Sequence, residues 1–546
     1  MSNDEKMDLI LHNGNVHTMD KENPTAQAVA IRGDKIAAVG SDAYVLAMKG
    51  SGTEIIDLGG KTVIPGFNDS HMHLLGFALQ LGKVDLSGAK SIQEIISRFK
   101  FFIKENSISK DTVVIGRGWN EVFFDDEKRA LTKFDLDVVE HPVYAIRACG
   151  HVGSANSAML RLYGIDKNTP DVQGGEIVKD DNGEPTGLFL ENAVQVFKDT
   201  RELSTAQVEN LILSTLPHLA KYGITSIQSD DFLFGAPNET VCEAFTNLAK
   251  AGKLTVRVTE KCRALSLDEY GIMLELPQVQ DDIAPFFKLG PAKIMSDGSL
   301  GGRTAFLKED YYDDPGNRGL PIFAKDELEA IVELAHNNNR NVAMHAIGDA
   351  AIEWCLDAIK KAQDKNPNPY LRHGIVHCQI TDLGLIEDFK RNNVIAYIQP
   401  IFIHADWKIA KSRVGKAKAA TSYAFKTLTE MGVPIPFGTD CPVEPLSPFE
   451  NIYCAVARKD LNKQPVSGFN PNEALSVYQV VYSYTVDGAY TSGEENEKGK
   501  IKEGMYADMA VLSKDIFNTE PEELLGTEVE MTVFNGRIIY RRLKPE

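Results

Sequence analysis

Two histidines separated by a single residue, His71 and His73, are the first feature of this sequence that could do chemistry. They follow an apolar run that ends at Phe67. In an extended backbone, side chains at positions i and i+2 point to the same side, so both imidazoles can bind one metal ion. Two polar residues on the solvent-facing side of a strand would have the same spacing. The pair therefore becomes informative only together with further ligands elsewhere in the chain.

Three more metal-binding side chains stand where predicted strands end. His345 ends one such strand, His377 ends the following one, and Asp440 comes just after the last. The carboxyl ends of the strands of a parallel barrel meet at one rim, which is where such folds carry their functional groups. Imidazole nitrogens and a carboxylate oxygen are donors that suit Zn²⁺ or a neighbouring first-row metal. We therefore predict that these side chains converge with the histidine pair rather than occupying unrelated positions.

The elements that must position these residues alternate in a regular way. Short apolar runs recur, and each is followed by a loop and a segment with helical periodicity, such as Lys325 to Asn337. This alternation predicts an α/β protein with a (β/α)8 TIM-like barrel, although an open doubly wound sheet has the same local pattern. The predicted strands are 62–65, 224–227, 254–258, 292–295, 342–345, 374–377, 394–398 and 434–438.

Both ends of the chain have a different pattern, in which short strands are separated by turns rather than by helices. The termini of folded domains are often close together, so residues 1–62 and 499–546 are predicted to form one small β-sandwich. The barrel then covers residues 63–498.

The distance along the chain between the first two predicted barrel strands is unusually long. Between Pro65 and Ile224 there are far more residues than the roughly 30 that one βα unit needs. We interpret residues 95 to 205, approximately, as a lobe inserted after strand 1, with a hairpin turn at 181–183. Loops that follow barrel strands build active sites, so a lobe in this place is expected to act as a lid.

The composition excludes several classes of protein. With 58 Lys+Arg against 77 Asp+Glu, the formal net charge of −19 provides neither the basic surface of a nucleic-acid binder nor attraction to an anionic membrane. No apolar run reaches the roughly 18 residues of a transmembrane helix. The 7 cysteines are scattered without a CxxC pair, which fits a reducing compartment. We expect a cytoplasmic protein with a small-molecule substrate; the oligomeric state is left open, with a homodimer as one candidate.

A series of motifs, taken in order, makes the sequence resemble the amidohydrolase superfamily, in particular its YtcJ-like branch, which includes N-substituted formamide deformylases. The resemblance extends over essentially the whole chain, and no single motif carries it. The motifs are VIPGFNDSHMHL (63–74), RACGHVGSANSAML (147–160), GGEIVKDDNGEPTG (174–187), KIMSDGSLGGRTA (293–305), HAIGDAAI (345–352), HGIVH (373–377), FGTDCPV (437–443) and GKIKEGMYADMAVL (499–512).

This resemblance implies a barrel with a terminal β-sandwich and a centre for one or two divalent ions, for which we expect Zn²⁺. In many relatives with two metals, a lysine of strand 4 is carboxylated and bridges the ions, and Lys293 occupies that position. An ammonium has no lone pair to offer a cation, whereas a carbamate supplies an anionic oxygen. A lysine held in a salt bridge is the alternative. The implied ligands are His71 and His73 after strand 1, Lys293 in strand 4, His345 after strand 5, His377 after strand 6 and Asp440 after strand 8.

The reaction that follows from such a centre is hydrolysis of a carbon–nitrogen bond, with a non-peptide amide as the expected substrate class. A metal ion lowers the pKa of a bound water and polarises a carbonyl group. Asp440 would take the proton from the attacking hydroxide and return it to the leaving nitrogen. A lactonase, an esterase or a deaminase on the same barrel, and a non-catalytic scaffold, are the alternatives. The residues after His345 contain no HxxE, which disfavours a deaminase.

Three residues outside the ligand set are candidate substrate contacts. Arg303, in a glycine-rich loop after strand 4, could bind a carboxylate through two parallel hydrogen bonds, or could stabilise its own loop. His151 and Trp119 belong to the inserted lobe. There His151 is expected to contact substrate from the lid, and Trp119 to line an apolar pocket. A histidine and a tryptophan with purely structural roles are the alternatives.

Overall fold

The fold is taken from a computed structural model. The chain forms two compact units, one made of Met1–Phe77 with Leu203–Glu546 and the other of Ala78–Glu202. We call the larger one the barrel unit and the smaller one the inserted unit. The structure describes residues 6–125, 127–149, 151–197, 202–232, 234–263, 265–275 and 283–543.

A parallel sheet forms the centre of the barrel unit. In the described part of the chain it has seven strands, each hydrogen-bonded to the next in chain order. The first two strands are buried at every position, as expected for parallel strands that are covered on both faces. The strands are β1 (Phe67–Met72), β2 (Ile224–Ser229), β3 (Arg257–Arg263), β4 (Phe287–Met295), β5 (Val342–Ala346), β6 (Gly374–His377) and β7 (Ile395–Tyr397).

Residues 434–440, which we call the closing segment, lie between β7 and β1. On the β7 side, the Ile398 N–H donates to the Pro436 carbonyl oxygen at 3.0 Å. On the β1 side, the Asp440 N–H donates to the His71 carbonyl oxygen at 2.7 Å. Pro436, like the proline two residues before it, has no N–H group, so this segment cannot form a regular ladder. It is an irregular segment that links both edges of the sheet, and not the strand predicted at 434–438.

The two ends of the chain form two further sheets in the barrel unit. In the described residues, one contains strands of the N-terminal part alone and the other contains strands from both ends. One apolar cluster contains side chains from both of these sheets, including Leu11, Val29 and Val511. Within the described residues, one sheet contains Leu9–His12, Ala28–Arg32, Lys35–Gly40 and Glu54–Asp57, and the other contains Asn15–His17, Thr25–Ala26, Thr62–Pro65, Met509–Leu512, Val529–Phe534 and Arg537–Arg541.

The prediction that residues 62–65 form the first barrel strand is wrong. Thr62–Pro65 pairs antiparallel with Met509–Leu512 in the terminal sheet. The chain enters the barrel one residue later, at Gly66, where a Cβ atom would lie 2.1 Å from the hydroxyl oxygen of Thr225. The apolar run continues across this glycine, so the sequence pattern does not separate the two strands. The strand predicted at 254–258 likewise begins three residues later, at Arg257.

Amphipathic helices alternate with the barrel strands. Lys325–Asn337, for example, buries Leu328, Ile331, Val332 and Ala335, which are spaced as one face of a helix. No helix in the described part of the chain is long and apolar enough to cross a bilayer. The α-helices outside the inserted unit are Asp42–Leu46, Thr205–Lys221, Asn238–Lys250, Leu267–Met273, Lys325–Asn337, Asp349–Lys365, Leu383–Arg391, Ile403–Asp406, Ala410–Thr421, Phe425–Glu430, Pro448–Ala457, Val477–Tyr482 and Gly488–Thr491, and Leu74–Leu81 crosses the boundary.

The inserted unit contains its own mixed sheet. The predicted hairpin is confirmed, because Gly175–Lys179 pairs antiparallel with Pro185–Glu191 and Gly183 has a φ of +78° in the turn. The unit, Ala78–Glu202, begins before the lobe predicted at about 95–205. Its described strands are Val84–Asp85, Val114–Trp119, Val143–Arg147, Val152–Ala155, Gly175–Lys179 and Pro185–Glu191, and its helices include Ile92–Glu105, Lys133–Leu136 and Ser157–Leu162.

Candidate metal centre

Three of the predicted ligands lie together at the carboxyl end of the barrel strands. His71 belongs to β1, His73 follows it, and Asp440 ends the closing segment. One potential ligand atom from each residue lies within 4.8 Å of the other two. Asp440 Oδ1 is 3.3 Å from His71 Nε2 and 3.2 Å from His73 Nε2. Two imidazole nitrogens and a carboxylate oxygen at this spacing suit one divalent cation.

The hydrogen bonds of His73 test whether this group fits a metal ion. Its Nδ1 donates to the carbonyl oxygen of Asp230 at 2.7 Å, so Nε2 keeps its lone pair when the ring is neutral. That nitrogen faces Asp440 Oδ1, a buried oxygen with no hydrogen-bond donor among the described residues. Two electron-rich atoms this close repel each other unless a proton or a metal ion lies between them. The donor set therefore fits a divalent metal ion.

The charges around the two imidazoles act in opposite directions. Burial, assisted by the positive charge of Lys293, lowers the pKa of His71 well below its usual value. Burial also lowers the pKa of His73, but Asp440 and Asp230 outweigh it and raise that pKa above its usual value. His71 is therefore neutral near pH 7 and available as a ligand, whereas the surroundings of His73 attract a cation, either a proton or a metal ion.

Asp69 joins the two segments that carry these ligands. Its Oδ1 accepts from the N–H groups of His71 and Thr439 at 3.2 and 3.0 Å, and its Oδ2 accepts from the Thr439 hydroxyl at 2.5 Å. Burial raises the pKa of Asp69 to about 6, although these donors oppose the rise. Asp440, which follows Thr439, has a φ of +57°, a strained conformation that the surrounding hydrogen bonds must hold. Sequence reasoning missed Asp69, although it lies two residues before His71 in the same motif.

Lys293 lies in β4, with 1% of its surface exposed. Its Nζ is 3.3 Å from His71 Nε2, the atom that also faces Asp440. Burial lowers the pKa of Lys293 to about 8, although the charge of Asp230 opposes the change. The amine is therefore partly neutral just above pH 7, and the neutral amine is the form that reacts as a nucleophile.

His345 and His377 stand at the ends of β5 and β6. Their ring centroids are 4.5 Å apart, and the His377 centroid is 5.7 Å from that of His71. His345 Nε2 donates to the Gly298 carbonyl oxygen at 2.9 Å when the ring is neutral, which leaves a lone pair on Nδ1. Burial, then the charge of His345, lowers the pKa of His377 well below its usual value. Its buried Nδ1 has no partner among the described residues, and its φ is +81°.

Asp297 is a buried carboxylate that sequence reasoning missed. It follows β4, has no exposed surface, and accepts the N–H groups of Phe306, Ile347 and Gly348 at 2.9, 3.1 and 2.8 Å. Its Oδ1 is 3.3 Å from His345 Nε2. Asp297 therefore fixes the loops after β4 and β5 relative to each other. Its position just past a predicted strand is the same signal that marked the ligands.

Arg303 is bound within its own loop. Its Nε and Nη2 both donate to the carboxylate of Asp313 at 3.1 Å. Arg413 contacts the same carboxylate. Arg303 thus makes with Asp313 the paired hydrogen bonds that were predicted for a substrate carboxylate. These contacts fit the alternative role, in which Arg303 stabilises its own loop.

The two candidate contacts in the inserted unit differ in exposure. His151 is 66% exposed at its side chain and lies 2.8 Å from Glu191, also an exposed residue. Trp119 has no exposed surface, and its Nε1 donates to the Ala145 carbonyl oxygen at 3.1 Å. Trp119 therefore packs the core of the inserted unit, which is the structural alternative, rather than lining an open pocket.

The parallel sheet of the barrel unit carries a cluster of potential metal ligands at its rim, the place where barrel enzymes carry their functional groups. The chain belongs to the amidohydrolase family, whose profile, described as Amidohydrolase family, matches residues 54–540.

Two proteins and one solved structure illustrate this similarity. The chain is 36% identical to "Putative amidohydrolase YtcJ" of Bacillus subtilis (strain 168), over 98% of this chain and 100% of that protein. It is 27% identical to "N-substituted formamide deformylase" of Arthrobacter pascens, over 98% of each chain. A crystal structure of an uncharacterized metal-dependent hydrolase from Pyrococcus horikoshii OT3 matches with a TM-score of 0.76 and 29% identity, covering 94% of this chain and 99% of that one.

Proposed function

We propose that this protein hydrolyses a non-peptide, amide-type carbon–nitrogen bond of a small molecule, using a divalent ion held by His71, His73 and Asp440. The observation that carries the proposal is the group of ligand atoms within 4.8 Å of one another at the barrel rim. The amide class is supported by the relative from Arthrobacter pascens, whose name specifies an N-substituted formamide.

Zn²⁺ is the ion that we propose for this centre, because nitrogen donors with a carboxylate are its preferred ligands. His345 and His377 would hold a second ion. Lys293 would then carry a carbamate: carbon dioxide adds to the neutral Nζ, an N–C bond forms, and one proton is released. The distance of 3.3 Å from Lys293 Nζ to His71 Nε2 places this amine beside the ligand cluster and supports a role as a ligand.

When bound, such an ion lowers the pKa of a water and polarises the substrate carbonyl. Asp440 takes the proton from the attacking water and gives it to the leaving nitrogen. The hydrogen bonds of Asp69 hold the backbone beside Asp440, so the carboxylate meets the substrate in one orientation. His73 is kept in position by its bond to the Asp230 carbonyl oxygen.

The first experiment combines metal analysis with a substrate panel. Protein purified without chelator is assayed for bound metal, and hydrolysis of formamides, N-acyl amino acids and simple esters is measured after zinc loading. Asp440→Asn should lower kcat by about 10²- to 10⁴-fold, the contribution of a general acid–base residue. The matched control is Asp364→Asn, which replaces an exposed aspartate on the helix Asp349–Lys365. An Asp440→Asn rate within twofold of the native rate would refute the proton-transfer role.

The carbamate has a test that does not depend on activity. Protein incubated with ¹³C-bicarbonate and zinc should show one carbamate carbon signal by NMR, and Lys293→Ala should lose it. Lys361→Ala, in which an exposed lysine is removed, should keep the signal. Lys293→Ala should also bind less metal, and short carboxylic acids should restore part of it. Full metal content in this variant without added acid would contradict the role of Lys293 as a ligand.

A further inference from the structure

Two phenylalanines stand beside the candidate metal centre. Phe234 lies in the loop after β2, with its ring centroid 5.6 Å from that of His73. Phe402 follows β7, and its ring lies 5.4 Å from His377 at an interplanar angle of 26°. β2 adjoins β1, and the chain just after β7 bonds to the closing segment. The two rings therefore lie on either side of the elements that carry the ligand cluster.

Phe234 and Phe402 are both partly exposed. Each packs against the apolar core of the barrel unit while keeping some accessible surface. Phe234 occupies the place where a side chain at position 76 would stand, because a Cβ atom on Gly76 would come within 2.9 Å of its ring. Apolar surface kept accessible at the edge of a buried polar site is available to a ligand.

The arginines at the end of β3 and after β4 at this rim are not available to an anionic ligand. Arg303, after β4, donates to Asp313, and Arg263, at the end of β3, donates to Asp230. Both guanidinium groups are thus already paired with carboxylates of the chain. The formal net charge of −19 also opposes the approach of an anion. A substituent that is bound here is therefore expected to be uncharged.

We propose that Phe234 and Phe402 select the substrate by binding a planar, apolar substituent next to the scissile bond. This inference rests on the proposed amide hydrolysis at the same centre and specifies its substrate class, a neutral amide with an aromatic substituent. Stacked or edge-on aromatic contacts contribute beyond the area that they bury. A flat substituent should consequently be preferred over a puckered one of similar size.

The kinetic test uses matched amides that carry a methyl, a cyclohexyl or a phenyl group, on the nitrogen side or on the carbonyl side. With zinc-loaded protein, kcat/KM for the phenyl compound of one series should exceed that for the cyclohexyl compound about tenfold. Phe234→Leu and Phe402→Leu should each remove most of this difference, because kcat/KM should fall more for the phenyl compound than for the cyclohexyl compound. Phe517→Leu, which removes a ring stacked on His17, should keep the preference.

Binding is measured separately, so that the result does not depend on turnover. In chelator-treated protein, NMR titration should show about tenfold tighter binding of the phenyl compound than of the cyclohexyl one, and both leucine variants should abolish the difference. If no amide is hydrolysed but this preference is seen, the proposed function fails while the selectivity of the two rings holds. Equal affinity and equal kcat/KM for phenyl and cyclohexyl compounds overturn the inference, as does a uniform loss for all compounds in the leucine variants.

Discussion

His336 and His373 form a buried pair that does not belong to the candidate ligand set. We expect this pair to make the stability of the barrel unit depend on pH. His373 Nδ1 accepts the N–H of Val342 at 3.1 Å, so its Nε2 carries the proton and donates to His336 Nδ1 at 2.9 Å. His336 Nε2 then donates to the Asn366 carbonyl oxygen at 2.6 Å. In this arrangement the neutral His373 ring accepts at one nitrogen and donates at the other, and protonating it would place two N–H groups against each other.

The size of the effect follows from the pKa of His373. Burial, assisted by the charge of His336, lowers this pKa from 6.5 to about 3. The unfolded chain therefore binds a proton more readily than the folded one, so the stabilisation is present above pH 6.5 and is lost as the pH falls towards 3. For one group with these two pKa values, the loss between pH 7 and pH 5 is about 2 kcal/mol of unfolding free energy.

The assay compares a reference protein that keeps His373 with a variant that carries His373→Asn. The amide oxygen of the asparagine can accept the N–H of Val342, but the amide does not titrate. Both proteins carry Trp119→Phe, which leaves Trp354 and Trp407 of the barrel unit as fluorescence reporters, and both are unfolded with urea in the presence of chelator. The reference protein should have the larger unfolding free energy at pH 7, and the difference between the two proteins should shrink by about 2 kcal/mol at pH 5. Between pH 7 and pH 9 the difference should stay constant. A difference that is the same at pH 5 and pH 7 would refute the reasoning.

Three further substitutions test other parts of the structure. Asp508→Ala leaves the buried guanidinium of Arg257 without its carboxylate, so the unfolding free energy should fall by about 3–5 kcal/mol in urea titrations. Thr439→Val removes a hydroxyl donor from Asp69, so zinc affinity, measured by competition with a chelator, should fall about 10- to 100-fold. Asp297→Asn replaces one accepting oxygen by an NH₂ group that faces backbone N–H groups, so urea unfolding should show a loss of about 1–3 kcal/mol.

Each of these predictions has a control within the chain. Asp364→Ala breaks an exposed ion pair with Lys360 on one helix and should cost no more than about 0.5 kcal/mol. A similar cost for Asp508→Ala would mean that its ion pair contributes no more than an exposed one. Unchanged zinc affinity in Thr439→Val would contradict the positioning role of Asp69. Native stability in Asp297→Asn would show that the loops after β4 and β5 do not need this carboxylate.

Much of the barrel could be predicted from the sequence, because short apolar runs that alternate with amphipathic helices have few other ways to bury their surfaces. β5 and β6 begin at the predicted residues, Val342 and Gly374. The sequence pattern places Thr62–Pro65 in the wrong sheet, since an apolar run crossing Gly66 contains no signal of the change. Pro436 explains the irregular closing segment, but periodicity alone does not include the effect of a missing N–H group.

His345, His377 and Asp440 could be proposed as ligands because each stands where a predicted strand ends, a property that a linear sequence contains. Lys293 was implied only by the family resemblance. Contacts made by loops are different, since they depend on which partners the fold brings near. Arg303 pairs with Asp313, ten residues away, and Asp297 binds backbone N–H groups about fifty residues further along. Trp119 is apolar in either role, and only its burial in the inserted unit distinguishes packing from a pocket.

The most direct test of the central claim is anomalous X-ray scattering from crystals grown with zinc, collected on both sides of the zinc absorption edge. The account predicts an anomalous peak within bonding distance of His71 Nε2, His73 Nε2 and an oxygen of Asp440. A map in which zinc occupies other sites, or no site, while these three side chains contact each other without an ion between them, would contradict this account.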